Sequence, residues 1–194
     1  MSARQQHGFD YEKHIIELLN LKRNKNYTGK NDAYYKDKNG KEYLVQIKCI
    51  KKGSAIDLGD YCRNKNKNKD FVLIIGFWEG SKENIVEEYI LYPPLEWWIG
   101  LFKVYDGFDK EMYEFLDDIS NDKIDDAKWV SGRKMLTKKW NDSWVPHNSD
   151  FENVWKEKYP ERLVLPRFKR DHKKQKRIQC AIPNKIFYKY FTIW

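Results

Sequence analysis

The run Phe71-Val72-Leu73-Ile74-Ile75-Gly76-Phe77-Trp78 constrains this chain most. A strand sends alternate side chains to opposite faces, and this one has no polar face. It reads as a strand in the middle of a sheet, buried on both sides. Glu79-Gly80-Ser81 then supplies a turn, and Ile85 to Tyr92 reads as a further strand ended by Pro93-Pro94. Ahead of the sheet, the spacing of Phe9, Glu12, Ile15, Ile16 and Leu19 predicts a helix over roughly Phe9 to Lys22, started near Gly8 or Asp10. The expected class is α/β, an α+β arrangement around a mixed sheet.

A hairpin is expected between the helix and the apolar strand. Asn39-Gly40 supplies residues that accept positive φ, and aromatic and β-branched residues flank it on both sides. On its second strand Tyr43, Val45, Ile47 and Cys49 share one face, and Gln46 and Lys48 share the other. Asp32 begins the first strand, so a carboxylate, an amide oxygen and an ammonium converge at one place on the sheet. Glu12 is the anomaly of the helix. A carboxylate within an apolar stripe needs a counter-charge or a cation.

The order acid, hairpin-sized gap, then Gln46-Ile47-Lys48 resembles the PD-(D/E)XK nuclease superfamily, in the variant where glutamine replaces the second acid. Asn31 stands where the family usually has proline. The resemblance implies a restriction-endonuclease-like core over 1–93. It carries a helical, aromatic-rich elaboration over 94–194, packed on that core as one compact unit and serving recognition and dimerisation. It also implies hydrolysis of phosphodiesters with Mg²⁺, held by Asp32, the Gln46 amide oxygen, the Ile47 carbonyl and Glu12. Lys48 would orient the water or stabilise charge on the phosphate. Mg²⁺ favours such oxygen ligands. Asp57 and Asp60, three apart, are rival metal carboxylates, although aspartates so placed more often cap helices.

Charge points to the partner. The chain has a formal net charge of +8. Glu161 to Cys180 holds eight basic residues against Glu161 and Asp171, a net +6. Phosphate neutralisation is the main use of such a cluster. Arg167, Lys169, Arg170, Lys173, Lys174, Lys176 and Arg177 are the candidate DNA contacts. The arginines, with Gln175 or Gln179, are the candidates for reading bases. Leu163, Val164, Leu165, Phe168 and Ile178 tie the stretch to a folded body, and Ile182 to Trp194 is expected to return as a strand. Asn64 to Lys69, alternating Asn with Lys, is expected to be exposed along a DNA backbone, after a short helical or irregular connection from Asp57 to Arg63. The basic loop from Lys22 to Lys30 leads directly to Asp32. Leu95 to Phe102 and Asp109 to Ile119 read as short amphipathic helices. Most tryptophans of this half should be core residues, with one or two free to stack on bases.

No apolar run approaches 18 residues, which speaks against a membrane span, and Met1 to Gln6 lacks the apolar core of a signal peptide. Cys49, Cys62 and Cys180 form neither a disulfide framework nor a zinc pattern. A reducing compartment is expected, cytoplasmic, or nuclear in a eukaryotic or viral source. Taken with the charge, the resemblance implies a homodimeric, type II, sequence-specific endonuclease of double-stranded DNA that leaves 5′-phosphate ends. The other classes in view are a structure-selective junction-resolving or repair nuclease on the same core, and a non-catalytic DNA-binding protein.

Overall fold

The computed structural model describes residues 3–24, 31–81, 83–102, 107–120, 125–142, 163–169 and 177–192. In chain order the elements are α1 (Ala3–Leu18), β1 (Lys22–Arg23), β2 (Ala33–Lys36), β3 (Glu42–Lys51), β4 (Ile56–Asp60), α2 (Tyr61–Lys65), β5 (Phe71–Trp78), β6 (Ile85–Leu91), α3 (Leu95–Gly100), α4 (Phe108–Ser120), α5 (Asp126–Asp142), β7 (Leu165–Lys169), β8 (Arg177–Ile182) and α6 (Asn184–Tyr190). They divide into two compact units. The first holds residues 1–56, 67–97 and 184–194, and the second holds 57–66 and 98–183. This division interleaves along the chain. The segment 57–66 leaves the first half for the second unit, and the last eleven residues return to the first. The sequence reading set its division at 93 and 94, and these units follow the chain differently.

Unit 1 is built on a five-stranded sheet of order β1-β2-β3-β5-β6. β3 and β5 run parallel, and the other neighbours run antiparallel, so the sheet is mixed. β5 is the apolar run, and seven of its eight residues are buried. Tyr11, Ile15 and Ile16 of α1 pack on Ala33, Val45, Ile47, Val72 and Ile74. The partly buried Tyr43 and Cys49 join this face, so β3 alternates as its sequence requires. Gly76 matters here, because a Cβ at that position would overlap the Tyr11 ring. With the ring seated, the Tyr11 hydroxyl donates to Glu88 Oε1 at 2.7 Å. The opposite face carries an aromatic cluster of Phe77, Tyr89, Phe187 and Tyr188, with ring centroids 5.2–6.2 Å apart. Edge-to-face contacts of this kind add to plain burial.

Unit 2 has a three-stranded sheet, β4-β8-β7, with helices around a second aromatic core. Trp140 packs edge-on against Tyr61 at 5.6 Å and donates its indole N–H to the Val164 carbonyl at 2.8 Å. Phe115 stacks flat on Trp129 at 5.6 Å, and Gly132 leaves the room that the Phe115 ring fills.

Several elements differ from the sequence reading, each for a local reason. α1 runs from Ala3 to Leu18 rather than Phe9 to Lys22. Its end is a Schellman motif: Asn20 takes φ 49°, Leu21 N–H bonds the Ile16 carbonyl at 2.9 Å, and Asn20 N–H bonds the Glu17 carbonyl at 3.2 Å. The buried stripe is Tyr11, Ile15 and Ile16, which leaves Glu12 at its edge and Leu19 exposed. At the hairpin only Gly40 needs positive φ, at 84°. Asp37 shapes the turn, its Oδ1 accepting from the N–H groups of Asn39 and Lys41, each at 2.9 Å. The connection from Asp57 is strand β4 followed by helix α2.

The Asn-Lys stretch is not uniformly exposed. Asn64 is 1% exposed and Lys67 is 8% exposed. Asn64 donates its amide to the carbonyls of Leu58 and Asp60, at 3.0 and 2.8 Å, and the Lys67 ammonium lies 4.6 Å from the Phe71 ring centre. The C-terminal segment forms helix α6 after Pro183, not a strand, and buries Ile186, Phe187 and Tyr190. α3 and α4 occur where amphipathic helices were expected.

Candidate metal and phosphate site

β2 and β3 have unequal lengths, and the site follows from that difference. β2 starts only at Ala33, paired with Val45, while β3 continues past that pair to Lys51. Beyond Val45 the β2-facing edge of β3 is therefore not continued by β2. The Asp32 N–H donates to the Val45 carbonyl at 2.9 Å, which fixes the β2-facing side of β3 at odd-numbered residues. Ile47 then points both its N–H and its C=O at the same open edge. The N–H is taken by the Asp32 carboxylate, with Oδ2 at 2.7 Å. Asp32 thus replaces a missing strand partner with a side chain and sets an anionic oxygen beside the Ile47 carbonyl.

The bend that delivers Asp32 is held by Asn24, which the sequence reading did not single out, and by Asn31, which it noted only as standing in place of proline. Asn31, where proline was the family expectation, is buried and donates its amide to the Ala33 carbonyl at 2.7 Å. Asn24, just past β1, donates its side-chain amide to the Asn31 carbonyl at 2.9 Å and its backbone N–H to the Asp32 carbonyl at 3.0 Å. Asparagine bonding nearby backbone is the usual turn chemistry of that residue, and it was the available signal.

Gln46 and Lys48 project to the face opposite α1, because Val45 and Ile47 pack on the α1 side. The Gln46 amide oxygen is sealed from solvent. Glu12 comes from α1, at the margin of its buried stripe. Burial and the Asp32 carboxylate push the Glu12 carboxyl above its usual range, while Arg23 and Lys48 pull it down. Asp32, Arg23 and Lys48 therefore all lie within electrostatic reach of Glu12. Arg23 is the unexpected one: its Nη2 lies 3.6 Å from Glu12 Oε1. Sequence spacing hides this pair, because the two residues sit on separate elements.

The donors suit a hard cation. Asp32 and Glu12 are carboxylates, and the Gln46 amide and Ile47 carbonyl are neutral oxygens, the mixture that Mg²⁺ accepts. Among the described residues no group of three or more His, Cys, Asp or Glu side chains is placed to hold a metal ion. The rival carboxylates are used locally. Asp57 Oδ1 accepts from Gly59 N–H at 2.8 Å, and Asp60 N-caps α2 by accepting from Arg63 N–H at 2.9 Å.

The expected DNA contacts fall in two groups. Arg170, Lys173, Lys174, Gln175 and Lys176 lie outside the described residues. Arg167 on β7 is exposed and pairs in register with the half-buried Gln179 of β8, whose amide oxygen is sealed from solvent; Lys169 pairs with Arg177 on the same ladder. Arg167 is thus the member of its pair that is open to a partner. In the Lys22 to Lys30 loop, Lys22 and Arg23 are exposed on β1, and Lys25 and Lys30 lie outside the described residues. Trp97, Trp98 and Trp140 are core residues, Trp129 is half-buried, and Trp144 and Trp155 lie outside the described residues.

All three cysteines are free thiols. Burial pushes the Cys49 thiol up to about 11. Among the described residues no helix is long and apolar enough to cross a membrane. The chain matches no family model, no curated protein and no solved structure.

Proposed function

We propose that unit 1 is a Mg²⁺-dependent nuclease core of the PD-(D/E)XK type and that the chain hydrolyses phosphodiesters of double-stranded DNA at specific sites. One observation carries the reading: the Asp32 carboxylate is bonded to Ile47 N–H on the open edge of β3, next to Lys48 and within the electrostatic reach of Glu12. Asp32, Gln46, the Ile47 carbonyl and Glu12 are the residues that would hold the metal. A bound Mg²⁺ neutralises phosphate charge and lowers the pKa of water. Lys48, on the face opposite α1, aligns the attacking water or stabilises the charge that develops on phosphate oxygen. Attack on phosphorus with departure of the 3′ oxygen leaves a 5′-phosphate. Replacing an acid by Gln46 removes one negative charge from the usual set, and Glu12 restores it.

The recognition part of the proposal rests on charge. The net +6 of Glu161 to Cys180 draws the duplex, and Arg167 on β7 is its described, exposed representative. Two copies of the chain would act on the two halves of a palindrome, since two-fold protein symmetry matches two-fold DNA symmetry.

Incubating the protein with supercoiled plasmid and Mg²⁺ tests the reading. Discrete fragments support a site-specific endonuclease. Nicks confined to cruciform or damaged plasmid would move the assignment to a structure-selective enzyme. No cleavage with either Mg²⁺ or Mn²⁺, alongside retained DNA binding, would leave a non-catalytic DNA-binding protein.

A further inference from the structure

We infer that Arg23 is a resident counter-ion for Glu12 which a divalent cation displaces, and that the freed guanidinium then binds a non-bridging oxygen of the substrate phosphate. The inference rests on the nuclease reading and assigns a second task within the same site.

The contact between Arg23 and Glu12 is loose. At 3.6 Å through one guanidinium nitrogen it is longer than a normal hydrogen bond and does not use the two-pronged fork of the guanidinium. The two partners are unequally placed: the Arg23 side chain is 55% exposed and that of Glu12 is 20% exposed. Glu12 is the inner partner and Arg23 the outer, solvent-facing one. Arg23 nevertheless cannot drift far. β1 is two residues long, and its register sets Arg23 opposite Ala33, the residue after Asp32. The Asn24 bonds to Asn31 and Asp32 tie the next residue to the same bend.

Charge balance gives the exchange its direction. Glu12 and Asp32 supply two negative charges, and Arg23 and Lys48 supply two positive ones. A divalent cation taking Glu12 makes Arg23 redundant as a counter-ion and leaves the set with a surplus of two positive charges. A phosphodiester brings one negative charge, and guanidinium is the side chain whose planar fork matches phosphate oxygens. Lys48 is less suited to the exchange, because it stands on the central strand β3, whereas Arg23 stands on the short edge strand β1.

The exchange predicts opposite effects of one substitution. In calorimetric titration with Mn²⁺ alone, Arg23→Gln should bind the ion more tightly than the parent, by up to about fivefold, the span of an exposed ion pair. The same variant should bind a short, uncleavable phosphorothioate duplex more weakly in the presence of Ca²⁺. Arg23→Lys keeps the charge and loses the fork, so it should match the parent toward Mn²⁺ and still lose duplex affinity. If Arg23→Gln binds Mn²⁺ no more tightly than the parent, Arg23 does not compete with the cation and the inference fails while the nuclease reading stands. If the parent itself binds no Mn²⁺, the nuclease reading fails first.

Discussion

Each unit of this protein carries a pair of acids that the sequence offers to a cation, and the two pairs have different uses. In unit 2, Asp57 and Asp60 accept from backbone N–H groups two and three residues further on, so each shapes its own turn or cap. In unit 1, Asp32 accepts from Ile47, fifteen residues away on β3, and Glu12, on a helix, lies within electrostatic reach of Asp32. A carboxylate bonded to its own neighbours is positioned with respect to itself. A carboxylate bonded across a sheet is positioned with respect to other chemical groups. Composition and spacing do not separate the two cases, and the length mismatch between β2 and β3 does.

The sharpest way to break the comparison is to remove one acid from each pair. Asp32→Ala and Lys48→Ala should each slow single-turnover plasmid cleavage by at least roughly 10²–10³-fold, the scale of losing one charge-stabilising group, while leaving DNA binding largely intact. Asp57→Ala should cut as the parent does. Near-parental cleavage by either unit 1 variant would remove the site assignment. Gln46→Glu restores the commoner acid and should keep activity, whereas Gln46→Ala should lose it.

Stability sharpens the comparison at the next level. Gly76→Ala forces a Cβ into the Tyr11 ring and should cost about 1–3 kcal/mol, as overpacking does. Asp60→Ala removes the α2 cap and should cost about 1 kcal/mol with no change in cleavage. Urea denaturation measures both. A Gly76→Ala protein as stable as the parent would mean that the Tyr11 seat is not tight.

The smallest expected effect lies on the far face of the unit 1 sheet. Hydrogen bonds from Lys52 and Tyr188 hold the Glu87 carboxyl below its usual range. A depressed carboxylate contributes stability that is present above its unfolded pKa and lost as pH falls through the folded value. Glu87→Gln should therefore lower the melting temperature slightly at neutral pH, and the gap to the parent should close on acidification through the carboxylate range. A gap that is constant with pH would assign the effect to packing.

Much of the sheet was legible because periodicity is a direct consequence of strand geometry. The apolar run became β5, the alternation of Tyr43 to Cys49 became β3, and β6 ends just ahead of Tyr92 and the two prolines. What escaped depends on contacts that no local window contains. α1 ends early because Asn20 adopts a left-handed turn that several residues could have provided. Asn64 and Lys67 look like a solvated charge run, yet one stitches β4 to α2 and the other lies over Phe71. The aromatic end of the chain has strand-like composition, but Phe187 and Tyr188 join an aromatic cluster from a helix. Of the proposed site, Asp32, Gln46 and Lys48 are proposed from one hairpin. Arg23, Asn24 and Asn31 are not, because their roles depend on a two-residue strand and on the path of the bend.

The central claim is that the open edge of β3, and not the acids of unit 2, holds the cation. Mn²⁺ binding followed by electron paramagnetic resonance, on the parent, Asp32→Ala and Asp57→Ala, tests it most directly. The account predicts a bound Mn²⁺ signal of equal strength in the parent and Asp57→Ala, and its loss in Asp32→Ala. Undiminished binding in Asp32→Ala, or loss of binding in Asp57→Ala, would contradict it.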